Sequence, residues 1–181
     1  MARVLLRLPA DLHRTLAKAA ADAELSFNEF CVRRLSAPPD AHGQSAVRSL
    51  VVSRARAVFG ERLVGVLVLG SWARGDAAAT SDIDVLIVID PKTALTRELY
   101  RAWDRDPVSF EGRSVDAHFA HPSTAGTRPT AVWCEAAVDG LVWYDRDGSV
   151  AIRLGEVRRA IAEGQVVRAF AHGQPYWKGA A

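Results

Sequence analysis

Leu69-Gly70-Ser71-Trp72-Ala73-Arg74-Gly75-Asp76, followed shortly by Ser81-Asp82-Ile83-Asp84-Val85-Leu86-Ile87-Val88, decides how this chain is read. An apolar run ends in Gly-Ser, ten residues intervene, and a second apolar run opens on two carboxylates two positions apart. On a strand, side chains two apart share a face, so Asp82 and Asp84 are expected to project together. Like charges side by side at the head of a buried strand are costly unless a cation lies between them. A hard divalent ion with oxygen ligands suits that position, and the Gly-Ser turn before it suits a phosphate.

Outward from this core, residues 63–69 and 83–89 read as strands buried on both faces. Residues 45–59 read as an amphipathic helix closed by Gly60. Residues 72–79 form the connector, including a short helix. Asp90-Pro91 stops the second strand, and a helix is expected over 93–103 with Thr93 near its cap. Residues 113–120 alternate as a third strand, with Val115, Ala117 and Phe119 on one face and Asp116 and His118 on the other. Helices are expected at 131–138 and 150–163, a short strand or turn at 141–144, and a last strand at 166–170 before a turn at His172-Gly173. Mixed strands and helices make the class α/β (α+β). Asp116, brought beside Asp82 and Asp84, completes a three-carboxylate cluster able to hold two magnesium ions for in-line phosphoryl displacement.

The 181 residues are 49% hydrophobic and 24% charged, the composition of a globular protein. No apolar stretch approaches the roughly 20 residues that span a membrane, and arginines interrupt the first nine residues, so neither a membrane span nor a signal peptide is expected. Cys31 and Cys134 lack metal-ligand spacing and read as free thiols of a cytoplasmic protein. Residues 1–36 hold six basic against four acidic groups, which accounts for the net charge of +2.

That N-terminal stretch is organised differently. Residues 3–8 alternate as a strand. Pro9 opens a helical pattern through Leu12, Leu16, Ala19, Ala20 and Ala23, and Ser26-Phe27-Asn28-Glu29 is a capping box for a second helix carrying Phe30 and Leu35. So small a unit cannot bury a core alone. Residues 37–45, with two prolines and a glycine, break all periodicity and read as a linker. The expected organisation is therefore 1–36, a linker at 37–45, and a larger domain at 46–181. Trp103, Trp133, Trp143 and Trp177 default to packing roles.

Two family resemblances emerge from these residues. Gly70-Ser71, ten residues and Asp82-Ile83-Asp84, supported by Ala73-Arg74-Gly75 and Ser81, resemble the signature of the DNA polymerase β-type nucleotidyltransferase superfamily, in particular its minimal nucleotidyltransferases. The resemblance spans about residues 45–116. It implies a mixed sheet flanked by helices and transfer of a nucleoside monophosphate from a nucleoside triphosphate, with pyrophosphate released. Asp82 and Asp84 would bind both Mg²⁺ ions, while Asp116 would bind the catalytic one and help deprotonate the acceptor. Gly70, Ser71 and Arg74 would hold the triphosphate.

Residues 2–36 resemble the ribbon-helix-helix module of Arc- and MetJ-type proteins. That resemblance implies a homodimer paired through the N-terminal strand, with Arg3, Leu5 and Arg7 in the major groove of operator DNA and phosphate near Ser26 and Asn28. Leucine at the middle groove position departs from a polar trio. Together the resemblances imply an antitoxin-like transferase that moves AMP from ATP onto a protein hydroxyl, as on a HEPN-type toxin. The alternatives are a transferase acting on transfer RNA or a small molecule such as an aminoglycoside, itself toxic in the first case, or a non-catalytic repressor that senses nucleotide.

Overall fold

The computed structural model describes residues 7–22, 24–36, 44–122, 127–171 and 174–179. In the larger domain, helix α3 (Gln44–Phe59) leads through one 3₁₀ turn into β1 (Leu63–Val68), short helix α4 (Gly70–Arg74) and β2 (Ile83–Ile89). Then follow α5 (Arg97–Asp104), β3 (Ser109–Phe110), β4 (Arg113–Ala120), α6 (Ala131–Asp139), β5 (Leu141–Asp145), α7 (Ser149–Ala162) and the hairpin β6 (Val166–Ala171) and β7 (Gln174–Gly179). Before them lie α1 (Ala10–Asp22) and α2 (Phe27–Ser36).

Five strands form one mixed sheet in the order β3-β4-β2-β1-β5. β1 runs antiparallel to β2 and β5, whereas β2 and β4 are parallel. Both faces are covered. Val47, Val51 and Phe59 of α3 and Trp103 of α5 pack on the face bearing Val66, Val85 and Ile87. Trp133 of α6 and Leu154 and Val157 of α7 pack on the face bearing Leu67, Leu86 and Val88. Double coverage explains why β1 and β2 are almost continuously apolar. The single half-buried position within β2 is Asp84.

The tryptophan expectation holds in three cases, since Trp103, Trp133 and Trp143 are buried. Trp177 is half-buried, and its indole N–H donates to Glu135 Oε1 at 2.7 Å, tying β7 to α6. Arg54, on α3, donates through Nη2 to the carbonyls of Ala102 and Trp103 and so closes the C-terminus of α5.

One helix start differs from the expectation. The amide of Lys92 donates to the Asp90 side chain at 2.8 Å, and that of Thr93 to the Asp90 carbonyl at 2.9 Å. This turn occupies Thr93, so α5 begins after Thr96, whose carbonyl accepts from the amides of Leu99 and Tyr100. β3 and β7 were not anticipated; both owe their conformation to pairing with a longer neighbour.

At the N-terminal end the capping box forms, with the Glu29 amide donating to Ser26 Oγ at 3.1 Å. Arg3, Leu5, Ala23 and residues 37–43 lie outside the described residues, as do His172 and Gly173. Arg7 is exposed and Leu8 half-buried, and neither joins a strand ladder. The two helices do not stand apart from the larger domain. Ala19, Ala20 and Phe30 form a small buried cluster with Leu16, Leu25 and Val138 of α6. Thr15 Oγ1 donates to the Arg158 carbonyl of α7 at 3.2 Å. No helix among the described residues is long and apolar enough to cross a membrane.

Candidate active site

Parallel pairing of β2 with β4 sets Asp84 beside Asp116 in register, with Ile83 opposite Val115 and Leu86 opposite His118. Asp84, Asp116 and His118 therefore share the α6 face of the sheet, and one ligand atom from each lies within 4.8 Å of the others. His118 Nε2 stands 3.9 Å from Asp116 Oδ2. Burial raises the Asp84 carboxyl above its ordinary pKa. Asp116 and Asp82 push the same way, while His118 and Arg74 oppose them.

Asp82 stands just outside the strand ladder. It precedes β2, is exposed, and accepts a hydrogen bond from Ser114 Oγ. Among the described residues, the trio whose ligand atoms all lie within 4.8 Å of one another is two carboxylates and an imidazole, with Asp82 outside it. Asp82 stays near enough to act on Asp84 electrostatically. Sequence reasoning gave His118 no role, although its place two residues after Asp116 on an alternating strand was the available signal.

Gly70 enters α4 directly from β1, and the Leu69 amide donates to the Asp84 carbonyl at 2.9 Å. Gly70 has φ +63°, and a Cβ there would collide with the Asp84 carboxylate. Only glycine permits both this conformation and this approach. Ser71 follows in the first turn of α4 and is half-buried. Arg74, at the end of α4, bonds Asp76 Oδ2 through Nε at 3.2 Å and reaches Asp139 Oδ2 through Nη1 at 3.7 Å.

The loop that carries Asp82 is pinned from β4. Arg113 Nη1 donates to the carbonyls of Ala78 and Ser81, and the guanidinium lies 5.3 Å from the centre of the Trp72 ring. Just beyond β4, His121 donates through Nε2 to the Thr93 carbonyl at 2.7 Å. Beside the cluster opens a cavity of about 690 Å³, reached by Gly70, Arg74, Asp84, His118 and by Arg168 of β6. The carboxylate oxygens of Asp84 and Asp116 fit a hard divalent cation, and the imidazole extends the fit to Mn²⁺ or Zn²⁺.

Residues 52–132 match the nucleotidyltransferase domain family. The matched region contains α4, β2 and β4, and hence every residue just described except Asp139 and Arg168. The match supports a nucleotidyltransferase enzyme, and the mixed sheet between helical layers is the architecture of the polymerase β-like fold. Residues 3–35 match the HicB family, which supports an antitoxin-type character at the N-terminus without specifying a ribbon-helix-helix module. No curated protein matches the chain.

Proposed function

We propose that this chain is a Mg²⁺-dependent nucleotidyltransferase that moves AMP from ATP to a protein hydroxyl within a toxin–antitoxin system. The observation that carries the reading is the in-register pair Asp84 and Asp116 facing the glycine turn of Gly70. In the reaction the acceptor oxygen bonds to the α-phosphorus of the nucleotide, its proton passes to a nearby base, and the bond to pyrophosphate breaks.

Asp84 and Asp116, with Asp82 and His118 beside them, are the residues to hold divalent metal, whose charge would offset that of the triphosphate. Gly70 leaves room for the phosphate chain, and Ser71 and Arg74 supply donors at the same turn. Asp116 lies at the exposed edge of the cluster, where an incoming hydroxyl can reach it. The N-terminal segment is proposed to pair with a second copy and place Arg3, Leu5 and Arg7 on operator DNA, with phosphate near Ser26 and Asn28. The HicB match over residues 3–35 supports an antitoxin-type character for this segment and goes no further.

The test is incubation with Mg²⁺ and each α-labelled nucleoside triphosphate, adding the product of the neighbouring gene or bulk transfer RNA in turn. Label on the protein, lost with Asp84→Asn, is the expected result. Label on RNA would replace the acceptor, and no label on any acceptor would leave a nucleotide sensor. Operator binding that survives Arg7→Ala combined with Arg3→Ala would overturn the groove assignment.

A further inference from the structure

The cavity beside Asp84 is not closed by the nucleotidyltransferase domain alone. Ala19 and Asp22 of α1 and Phe30 of α2 line it together with Gly70, Asp84 and His118. Two contacts fix those helices there, against a frame in which α7 is itself tied to α6. Thr15 donates to the Arg158 carbonyl, Arg158 Nε in turn donates to the Ala137 carbonyl of α6 at 2.8 Å, and Ala19, Ala20 and Phe30 pack with Val138. Between α1 and α2, Glu24 adopts φ +55° and the Leu25 amide donates to the Ala20 carbonyl at 2.9 Å, so the second helix turns back over the same site.

The cavity lining has two chemically different parts. Gly70 and Arg74, with Asp84 and His118 where metal would sit, suit phosphate. The apolar part of the lining comes from Ala19 and Phe30 of the N-terminal helices, Val132 and Val138 of α6, and Leu69. Glu135 and Asp139, which also reach the cavity, face Arg168 at 3.6 Å and Arg74 at 3.7 Å, so their charge is largely balanced. An apolar wall with Asp22 as an exposed acceptor at its rim suits an uncharged heterocycle on a hydroxylated sugar. At about 690 Å³ the space lies within the range of about 300–1,000 Å³ that small-molecule sites occupy.

We propose that the N-terminal helices form the nucleoside wall of the transfer site, with Ala19 and Phe30 against the base and Asp22 accepting from the sugar or base. The assignment rests on the nucleotide reading above. It makes the HicB-like segment a determinant of nucleotide binding as well as a separate module.

The test uses the full chain with Mg²⁺ and two probes, α,β-methylene ATP and inorganic tripolyphosphate, measured by calorimetry. Tripolyphosphate reads the phosphate part alone. Ala19→Leu is expected to weaken α,β-methylene ATP at least 10-fold, and Asp22→Ala at least 3-fold, with tripolyphosphate unchanged in both. In the wild type, hydrogen exchange along α1 is expected to slow with α,β-methylene ATP and not with tripolyphosphate. This readout does not depend on how a variant folds. Unchanged affinity in both variants with no protection of α1 would overturn the proposal. So would tighter binding in Ala19→Leu, which would make the helices a lid. Wild-type protein that binds neither probe would instead overturn the nucleotide reading, and this inference with it.

Discussion

Gly70 and Asp84 approach so closely that a methyl group on the former would overlap the carboxylate of the latter. The positive φ of Gly70 adds a second barrier to any side chain there. Gly70→Ala is therefore expected to lose about 1–3 kcal/mol of stability from backbone strain alone. Displacing Asp84 should also abolish metal binding. Thermal unfolding reads the first effect and a Mn²⁺ titration followed by electron paramagnetic resonance reads the second. Undiminished Mn²⁺ binding in Gly70→Ala would mean that Asp84 is not a ligand.

The imidazole of His118 separates this cluster from one of carboxylates only. Nitrogen ligands favour Mn²⁺ and Zn²⁺ more than Mg²⁺. His118→Ala is expected to weaken Mn²⁺ about 10-fold, the scale on which losing a supporting group acts, and to weaken Mg²⁺ less. Asp82→Asn, at a site bonded to Ser114, should weaken both ions by a similar factor. Equal losses of Mn²⁺ and Mg²⁺ in His118→Ala would place the imidazole outside the ligand set.

Asp84 also bears on stability in the absence of metal. Its folded-state pKa is raised, chiefly by burial, so its contribution is favourable below the unfolded pKa and is lost as pH rises through the folded one. At neutral pH the ionised carboxylate is a burden on the metal-free fold. Asp84→Asn should then raise the midpoint of thermal unfolding at pH 7, by no more than about 3 °C given the partial exposure. The gain should vanish near pH 3. Added Mg²⁺ should stabilise the wild type and leave the variant unmoved.

Much of this arrangement was legible because β2 has a single half-buried position and β4 alternates. A run buried on both faces makes Asp84 conspicuous, and the alternation of β4 puts Asp116 and His118 on one face before any pairing is known. Asp82 shows where such reading stops. Its parity is right, but β2 begins one residue later, and the contact with Ser114 comes from a different strand. The start of α5 was displaced for a similar reason, since the Asp90 turn competes locally for Thr93. The wall formed by α1 and α2 was illegible. Its apolar stripe reads only as something to bury, and the choice of α6 and α7 as cover depends on contacts more than a hundred residues away in sequence.

The two thiols should behave unequally. Cys134 is fully buried in α6, and burial pushes its pKa up to about 11, whereas Cys31 is half-buried. At pH 8 Ellman's reagent should titrate Cys31 in the native protein and reach Cys134 only on unfolding. Since the Cys134 thiol ionises more readily when unfolded, its contribution to stability is complete below pH 9 and is lost as pH rises toward 11. Rapid reaction of both thiols in the native state would mean that α6 opens readily from the sheet.

Arg113 links the strand of Asp116 to the loop of Asp82. Its guanidinium donates to the Ala78 and Ser81 carbonyls and covers the Trp72 ring. The loop is otherwise closed by short contacts of its own, the Ser81 amide to the Ala78 carbonyl and the Ala78 amide to Ser81 Oγ. Removing a charged donor from two backbone carbonyls costs about 1.5–3 kcal/mol, so Arg113→Ala should be destabilised by that amount. Lysine can keep one hydrogen bond but not the planar stacking, and Arg113→Lys should recover less than half of the loss. Because the loop carries Asp82 and not Asp84, both variants should weaken Mn²⁺ no more than Asp82→Asn does, while transfer activity falls. A variant that keeps full stability and full activity would show that the loop holds Asp82 in place without Arg113.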